Sequence, residues 1–488
     1  MGLVSEAAVL QSLRAENPWW TEGGVPAEAR LPRRAFYPAF HRLVVSRKLR
    51  RTAVVLGPRR VGKTVMALQV LADWISAGHD PARTLYVSLD SPAYARASLQ
   101  ELLDLYSKAV LPNGTPWPEL VVFDEIQFLP NWETELKVLT DRHPNVRFVA
   151  TGSAASALAK AARESGAGRF TDFLLPPLLF NEFLTLTGSD GIISRNGSAP
   201  PARFASPDEV TVESIAELNA HFERYVNFGG FPEVARSDLR GAELSRFVKS
   251  DILDKSLLRD LPQLYGVTDT RELYHLFSVL SFRTGNEFTL EGLSQSARIA
   301  KTTIKKYIEY LESSFLVARL ERIDQNARRF MRAPSFKVHL LNPALRAALF
   351  SPIASDDEMF GHVVESAIYA NLWPLPDMAG AHYARWDGGE IDLVGLDSAT
   401  QSPVWACEVK WSDRHWDRPE EVAAILDFAG RKPSVENIVL TTRSRSGIRS
   451  VRGVVAPYMP AAALCWLLGV KVAESDFETQ GLLFPNPS

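Results

Sequence analysis

The sequence predicts a multidomain α/β protein built around a parallel sheet. Three observations carry this. From Arg51 onward, short apolar runs alternate with stretches of helical periodicity, the pattern of strands joined by right-handed crossovers. The first run ends in a glycine-rich loop that leads straight into a helix. At 488 residues the chain also exceeds what one hydrophobic core organises, so several domains are expected.

Residues 1–50 are rich in Arg, Pro and aromatics and include Asn17-Pro18-Trp19-Trp20. The paired tryptophans either form a binding surface or pack the leading segment onto the domain that follows. Ala53–Leu56 reads as a buried strand. The helix after it repeats Met66, Val70 and Trp74 at intervals of four, with Ala67 and Leu71 alongside. Leu85–Leu89, Leu120–Phe123 and Arg147–Ala150 are further strands, separated by helices over Ser98–Val110 and through Glu133–Leu139. An N-terminal segment and sheet domain is thus expected over 1–186. Gly, Ser, Pro and Ala then dominate Thr187–Thr211, with Ser198-Ala199-Pro200-Pro201 in the middle, so a flexible insertion is expected there. A helical lid region over 212–270, a winged helix-turn-helix over 271–345 and a C-terminal α/β domain over 355–488 complete the expected organisation.

The bulk numbers exclude several classes. Apolar residues make up 46% and charged residues 23% of the chain, ordinary for a globular protein. A net charge of −3 supplies no general attraction for nucleic acid, so any DNA contact needs a local patch. Cys407 and Cys465, the two cysteines, lie in apolar surroundings and suggest no disulfide framework or Cys-based zinc site. No basic region feeds an apolar run at the N-terminus. The most apolar stretch, Gly453–Val470, contains Pro457, Tyr458 and Pro460, and reads as a buried strand and helix rather than a membrane span. A cytoplasmic protein with no membrane partner is expected.

Gly57-Pro58-Arg59-Arg60-Val61-Gly62-Lys63-Thr64 fits the phosphate-binding pattern G-x-x-x-x-G-K-[ST], between strand and helix as the chemistry requires. Glycines let backbone N–H groups approach phosphates, Lys63 reaches the β- and γ-phosphates, and Thr64 holds Mg²⁺. Val65 belongs to the same cradle. Asp124, ending the apolar run Leu120–Phe123, stands where ligands bind in open α/β sheets and orients Mg²⁺; Glu125 is the natural base for an attacking water. The acidic pair and the strand between the two motifs indicate the ATPase branch that hydrolyses with an in-line glutamate. Thr151 or Ser153 senses the γ-phosphate or positions the water, unless both serve only a turn and cap. Arg169 is either an arginine finger or an ordinary exposed loop residue, and a finger would act within its own subunit or across an interface. ATP and Mg²⁺ are the expected cofactors.

Residues 271–340 have helix-turn-helix spacing: helices over Arg271–Ser281, Thr289–Ala297 and Lys301–Ser314, then wing strands over Leu316–Ile323 and Arg332–Leu340. The third helix puts Ile304, Tyr307, Ile308 and Leu311 on one face. Its other face offers Lys301, Thr302, Lys305 and Lys306 for phosphate and base contacts. Arg328, Arg329 and Arg332 fall near the wing tip. Lys and Arg outnumber Asp and Glu ten to five over 291–340. Duplex DNA binding by counterion release is the functional reading; a lid or packing role with solvated lysines is the alternative.

In the last segment, Gly389–Val394 and Val404–Lys410 flank a turn-rich stretch and form a hairpin. Pairing about Thr400 sets Asp392 opposite Glu408, with Lys410 on the same face as Glu408. This is the D…E-x-K arrangement of restriction-endonuclease-like folds. There Asp392 and Glu408 ligate Mg²⁺, Lys410 orients the attacking water, and Glu365, on a helix beginning near Gly361, adds a further acid. In an ordinary hairpin the same residues form a surface salt bridge.

The chain resembles the prokaryotic AAA-type ATPases that carry a C-terminal domain of unknown function with a nuclease-like fold. The resemblance rests on Asn17–Trp20, the phosphate loop with Arg59 and Arg60, Asp124-Glu125-Ile126-Gln127, Ala150-Thr151-Gly152-Ser153 and Gly168-Arg169. Phe180-Asn181-Glu182-Phe183, Phe228-Gly229-Gly230-Phe231-Pro232-Glu233 and the C-terminal pattern extend it over nearly the whole chain, apart from 187–211. It implies ATP binding. The expected function is an ATPase whose nucleotide state moves a DNA-binding, nuclease-like module. Its rivals are an ATP-gated Mg²⁺-dependent nuclease and a nucleotide-switched scaffold for a protein partner. The oligomeric state is left open.

Overall fold

The computed structural model describes residues 5–21, 23–46, 51–95, 97–111, 117–153, 168–199, 202–237, 241–324, 326, 335–375 and 380–475. These fall into two compact units, one ending at Leu175 and the other spanning Pro176–Ser475.

The first unit holds helices α1 (Glu6–Glu16), α2 (Tyr37–Val45), α3 (Lys63–Ser76), α4 (Leu99–Ala109) and α5 (Trp132–Arg142). Its strands are β1 (Thr52–Leu56), β2 (Thr84–Ser88), β3 (Leu120–Asp124), β4 (Arg147–Gly152) and β5 (Phe170–Leu174), in the order β2-β3-β4-β1-β5. All four pairings are parallel. Every residue of β1 and β3 is buried, as strands covered on both faces require. The expected face of α3 (Met66, Ala67, Val70, Leu71 and Trp74) is buried too. Because β4 lies between β1 and β3, the carboxyl ends of these three strands are neighbours, the place where open parallel sheets bind ligands.

β2 is the edge of this sheet, and the N-terminal segment closes it. Asn17 donates to Tyr86 O at 2.8 Å and accepts from Tyr86 N at 2.7 Å, so one side-chain amide mimics a neighbouring strand. Trp19 and Trp20 both donate their indole N–H to Thr84 O, at 3.1 and 2.8 Å. The paired tryptophans pack the leading segment onto its domain and cover an edge that would otherwise invite pairing.

The second unit opens with α6 (Phe180–Leu186) and a two-stranded antiparallel ribbon of β6 (Ile193–Arg195) and β7 (Val210–Val212). The expected flexible insertion is therefore corrected: its described residues are ordered, though Pro200 and Pro201 lie outside them. Phe204 is fully buried and stacks on Trp405, ring centroids 4.4 Å apart. The Lys471 ammonium ties down the carbonyls of Ala202 and Phe204 at 3.0 and 2.8 Å. Turn-forming composition dominates the segment, and a few anchors order it.

α7 (Ile215–Phe228) leads into α8 (Thr270–Phe282), β8 (Glu287–Thr289), α9 (Leu290–Ala297), α10 (Lys301–Ser313), β9 (Val317–Ile323) and β10 (Ser335–Leu340). Thr289 caps α9, accepting from Gly292 N at 3.0 Å. β10 pairs antiparallel with both β8 and β9; the strand β8 was not anticipated. Arg328, Arg329 and Arg332 lie outside the described residues. Then follow α11 (Ala344–Leu349), α12 (Phe360–Leu372), β11 (Ala381–Trp386), β12 (Gly389–Leu396), β13 (Pro403–Glu408), α13 (Ala423–Arg431), β14 (Asn437–Thr442), β15 (Gly447–Val451), β16 (Val454–Pro460) and α14 (Ala461–Glu474). The expected hairpin forms in its expected register, with Leu393 opposite Cys407 and Val394 opposite Ala406.

The domain boundaries differ from expectation. α6 belongs to the second unit, so the first ends at Leu175 rather than at 186. The 212–270, 271–345 and 355–488 segments are not separate bodies. One apolar cluster runs from Phe231 through Leu261, Leu273 and Ile304 to Leu345. One nine-stranded sheet, β15-β16-β14-β13-β12-β11-β9-β10-β8, spans the last two segments. The joint is β9, whose edge away from β10 pairs parallel with β11. A two-stranded hairpin of β9 and β10 would leave that edge open, and pairing it with β11 satisfies its backbone groups. No described helix is long and apolar enough to cross a membrane.

Candidate functional site

The loop from Gly57 to Gly62 links the carboxyl end of β1 to α3. A Cβ on Gly57 would stand 2.2 Å from the carbonyl oxygen of Leu175, and Gly62 adopts φ +99°, a region L-residues rarely enter. Arg60 also turns left-handed, with φ 63°. Val61 is fully buried, and its carbonyl accepts from Arg34 Nη1 at 2.6 Å. Arg34, itself buried, thus braces the loop from the N-terminal segment. Lys63 is buried at the first turn of α3 and donates to the carbonyls of Gly57 and Pro58 at 3.0 and 2.9 Å. Thr64 and Val65 follow it in that turn.

Asp124 sits at the end of β3, almost wholly buried. Thr64 Oγ1 and the Tyr86 phenol each donate to its Oδ2 at 2.8 Å, and Thr151 donates to Oδ1. Burial, with Glu125 beside it, raises the Asp124 pKa, and the three hydroxyls oppose that shift. Thr151 Oγ1 also accepts from Glu125 N at 3.0 Å, so one hydroxyl ties both acidic residues together. Glu125 itself takes a left-handed backbone, φ 53° and ψ 47°, sparsely populated by residues with a Cβ. Its carboxylate accepts from Gln127, whose amide also donates to Ser153 Oγ at 3.0 Å.

The expected residues Lys63, Thr64, Asp124, Glu125, Thr151 and Ser153 therefore meet at adjoining strand ends. Thr64 Oγ1 and Asp124 Oδ2 are hard oxygen donors in hydrogen-bond contact, a set suited to Mg²⁺. Arg169 is placed elsewhere. It precedes β5, its carbonyl accepts from Thr52 N at 2.8 Å at the start of β1, and its guanidinium pairs with Asp141 at 2.6 Å. Five residues of β1 separate it from the phosphate loop, roughly 16 Å of strand, so it does not face its own chain's nucleotide site. Tyr86, Gln127 and Arg34 were not anticipated as site residues. Tyr86 becomes visible only once β2 is known to neighbour β3.

The second unit brings Glu365, Asp392, Glu408 and Lys410 together as expected. Lys410 Nζ donates to Glu408 Oε1 at 2.7 Å, and Asp392 Oδ2 accepts from Val409 N at 2.8 Å. Two unanticipated residues join them. Lys337 Nζ lies 2.9 Å from Glu365 Oε1, 2.8 Å from Glu390 Oε1 and 3.2 Å from Asp392 Oδ1. Burial raises Glu365 to about 8 against the pull of Lys337, and raises Glu408 to about 7 with Asp392 adding to the shift. Asp392 is buried as well, yet Lys337 and Lys410 hold its carboxyl below the usual range. The expected Mg²⁺ ligand set of Glu365, Asp392 and Glu408 does not fit this arrangement: an ammonium already lies against two of the three carboxylates. Among the described residues no three His, Cys, Asp or Glu side chains are placed to share a metal ion.

On α10, Ile304, Tyr307, Ile308 and Leu311 are buried, while Lys301, Thr302, Lys305 and Lys306 are exposed. Lys301 forms an ion pair with Glu291; both side chains are more than half exposed, so water and salt screen the contact.

Residues 49–184 match the family model of an AAA domain, and residues 219–356 match that of a domain of unknown function, DUF8612. An uncharacterized protein of Methanocaldococcus jannaschii, MJ1544, is 26% identical over 269 residues, 54% of this chain and 55% of that protein. The chain thus spans about half the length of that relative. An uncharacterized protein of Haemophilus influenzae is 25% identical over 348 residues, 70% of this chain and 78% of that protein. Among solved structures, AMPPCP-bound DnaA from Aquifex aeolicus aligns at 15% identity and TM-score 0.29, covering 61% of this chain and 92% of DnaA. Cdc6p from Pyrobaculum aerophilum aligns at 12% identity and TM-score 0.27, covering 68% and 96%. At those scores neither alignment bears on function. Over residues 49–184 the chain is thus similar to the AAA domain.

Proposed function

We propose that this protein binds and hydrolyses ATP, and that its nucleotide state controls a DNA-binding module within residues 176–475. The observation that carries the first half is the meeting of Lys63, Thr64, Asp124, Glu125 and Thr151 at the carboxyl ends of β1, β3 and β4. On binding, Lys63 exchanges its carbonyl partners for the β- and γ-phosphates, and loop N–H groups cradle the chain of phosphates. Thr64 and Asp124 would hold Mg²⁺, which when bound offsets phosphate charge. Glu125 accepts a proton from water as its oxygen bonds to the γ-phosphorus; the bond to the β,γ-bridging oxygen breaks and ADP leaves. Ser153, joined to Glu125 through Gln127, would position that water.

The second half is supported by the order helix, strand, helix, helix, hairpin over α8 to β10, which is that of a winged helix-turn-helix. It is supported further by the exposed Lys301, Thr302, Lys305 and Lys306 on the face of α10 opposite its buried residues. Duplex DNA is the partner this chemistry favours.

Steady-state ATP hydrolysis, with and without duplex DNA, tests both halves on the wild type, Lys63→Ala and Glu125→Gln. Turnover lost in both variants and stimulated by DNA is expected. Turnover indifferent to DNA would reject the DNA half in favour of a protein partner. Tight ATP binding without turnover would reject hydrolysis and favour the nucleotide-switched scaffold.

A further inference from the structure

Metal-dependent nucleases of the restriction-endonuclease-like fold place a divalent ion between carboxylates equivalent in arrangement to Glu365, Asp392 and Glu408. Here the side chain of Lys337 reaches two of these carboxylates, Glu365 and Asp392, together with Glu390. We propose that Lys337 is the resident cation of this cluster: a lysine supplied by the wing strand β10 stands in for the divalent ion and keeps the site metal-free. This reading does not depend on ATP hydrolysis or on DNA binding.

The geometry is that of a fully used ammonium. Lysine has three N–H donors and no acceptor, and Lys337 has three carboxylates, from Glu365, Glu390 and Asp392, within 3.2 Å. Its side chain is 4% exposed, and a buried charge persists only when paired in this way. The lysine also comes from a distance. In the sheet order β12-β11-β9-β10, two strands separate it from Asp392, and its ammonium passes over the Tyr383 ring of β11 at 5.5 Å. Mg²⁺ demands oxygen ligands at roughly 2.0–2.1 Å in near-octahedral array. Glu365 Oε1 and Asp392 Oδ1 are held by the ammonium nitrogen at 2.9 and 3.2 Å, so the two cations compete for the same oxygens and the same space.

Two further atoms mark the cluster as an ion site rather than a salt bridge of convenience. His339 Nε2 is fully buried, 3.7 Å from Glu365 Oε1, and among the described residues makes no hydrogen bond; Glu408 Oε2 is likewise buried with no hydrogen-bond partner among them. Removing the ammonium while keeping the carboxylates should therefore open a divalent-cation site that the wild type lacks.

The test is Mn²⁺ binding to the full chain without nucleotide, followed by the loss of the free-ion paramagnetic resonance signal. Wild type and Asp392→Asn are expected to bind Mn²⁺ alike, since Asp392 is closed to metal in both. Lys337→Gln is expected to gain a Mn²⁺ site that a second change, Asp392→Asn, removes; Lys337→Arg, which keeps the cation, gains none. A wild-type Mn²⁺ site lost in Asp392→Asn would overturn the proposal, and that arm stands even if Lys337→Gln fails to fold. A folded Lys337→Gln that gains no Asp392-dependent Mn²⁺ binding would overturn it equally.

Discussion

The phenol of Tyr86, on β2, donates to Oδ2 of Asp124 at the end of the neighbouring strand, 2.8 Å away. It is one of three hydroxyls, with Thr64 and Thr151, that hold a carboxylate almost wholly removed from water. Tyr86 is not part of either sequence motif, yet it orients the acid to which the proposed function assigns Mg²⁺.

Tyr86→Phe is accordingly expected to weaken ATP turnover without touching the phosphate loop. A hydrogen bond to a charged group contributes roughly 1.5–3 kcal/mol, so a fall in kcat/KM of about tenfold or more is expected. Burial already raises the Asp124 pKa, and the Tyr86 hydrogen bond works against that rise. Its loss moves the pKa further up, so the acidic limb of the pH–rate profile should shift toward higher pH. An unchanged profile together with unchanged kcat/KM would remove Tyr86 from the site.

The same strand is held from its other side. Asn17 is buried, and its amide satisfies both the N–H and the C=O of Tyr86. Asn17→Ala leaves those two backbone groups without partners, at about 1–3 kcal/mol for each buried group. The first unit should melt earlier, with ATP raising its melting temperature in variant and wild type alike. Equal thermal stability of Asn17→Ala and wild type would mean that another group covers this edge.

Glu16 adds a pH dependence to the first unit. Burial raises its pKa to about 7, although Ser88 N donates to it at 3.1 Å. The folded chain therefore keeps a proton that the unfolded chain gives up at its lower, ordinary value. Between about pH 4.5 and 7 the folded state binds more protons, so stability falls as pH rises through that window. Denaturant unfolding at pH 5 and pH 8 should show this fall, and Glu16→Gln should reduce it. A variant with the wild-type pH slope would place the dependence on another group.

Local chemistry in this chain was legible where it lies within a few consecutive residues. Gly57–Thr64 and Asp124-Glu125 each follow an apolar run, and both stand at strand ends. The Asp392–Glu408 register followed from a hairpin with a short turn, where pairing is set locally. What escaped was chemistry assembled across the sheet. Tyr86 depends on β2 lying beside β3, and Lys337 depends on β9 pairing with β11. A lysine in a run of expected wing residues looks like a solvated charge, and nothing within ten residues of Lys337 reveals the three carboxylates it meets. Domain boundaries failed for the same reason, since the strand pairing that merges 271–345 with 355–488 is non-local.

Residues 187–211 give the sharpest disagreement between composition and structure, and Phe204 is the residue that decides it. A flexible segment would tolerate substitution there, with an effect near zero on stability. In the structure Phe204 is fully buried against Trp405, and Lys471 clamps its carbonyl. Removing a buried aromatic side chain typically costs about 3–5 kcal/mol, because the cavity left behind closes only in part. Phe204→Ala should therefore destabilise the second unit strongly, whereas Ser198→Ala, at an outlying turn of the same segment, should leave its unfolding midpoint unchanged. The contrast separates a packed segment from a linker: equal midpoints for the two variants would return residues 187–211 to the flexible class.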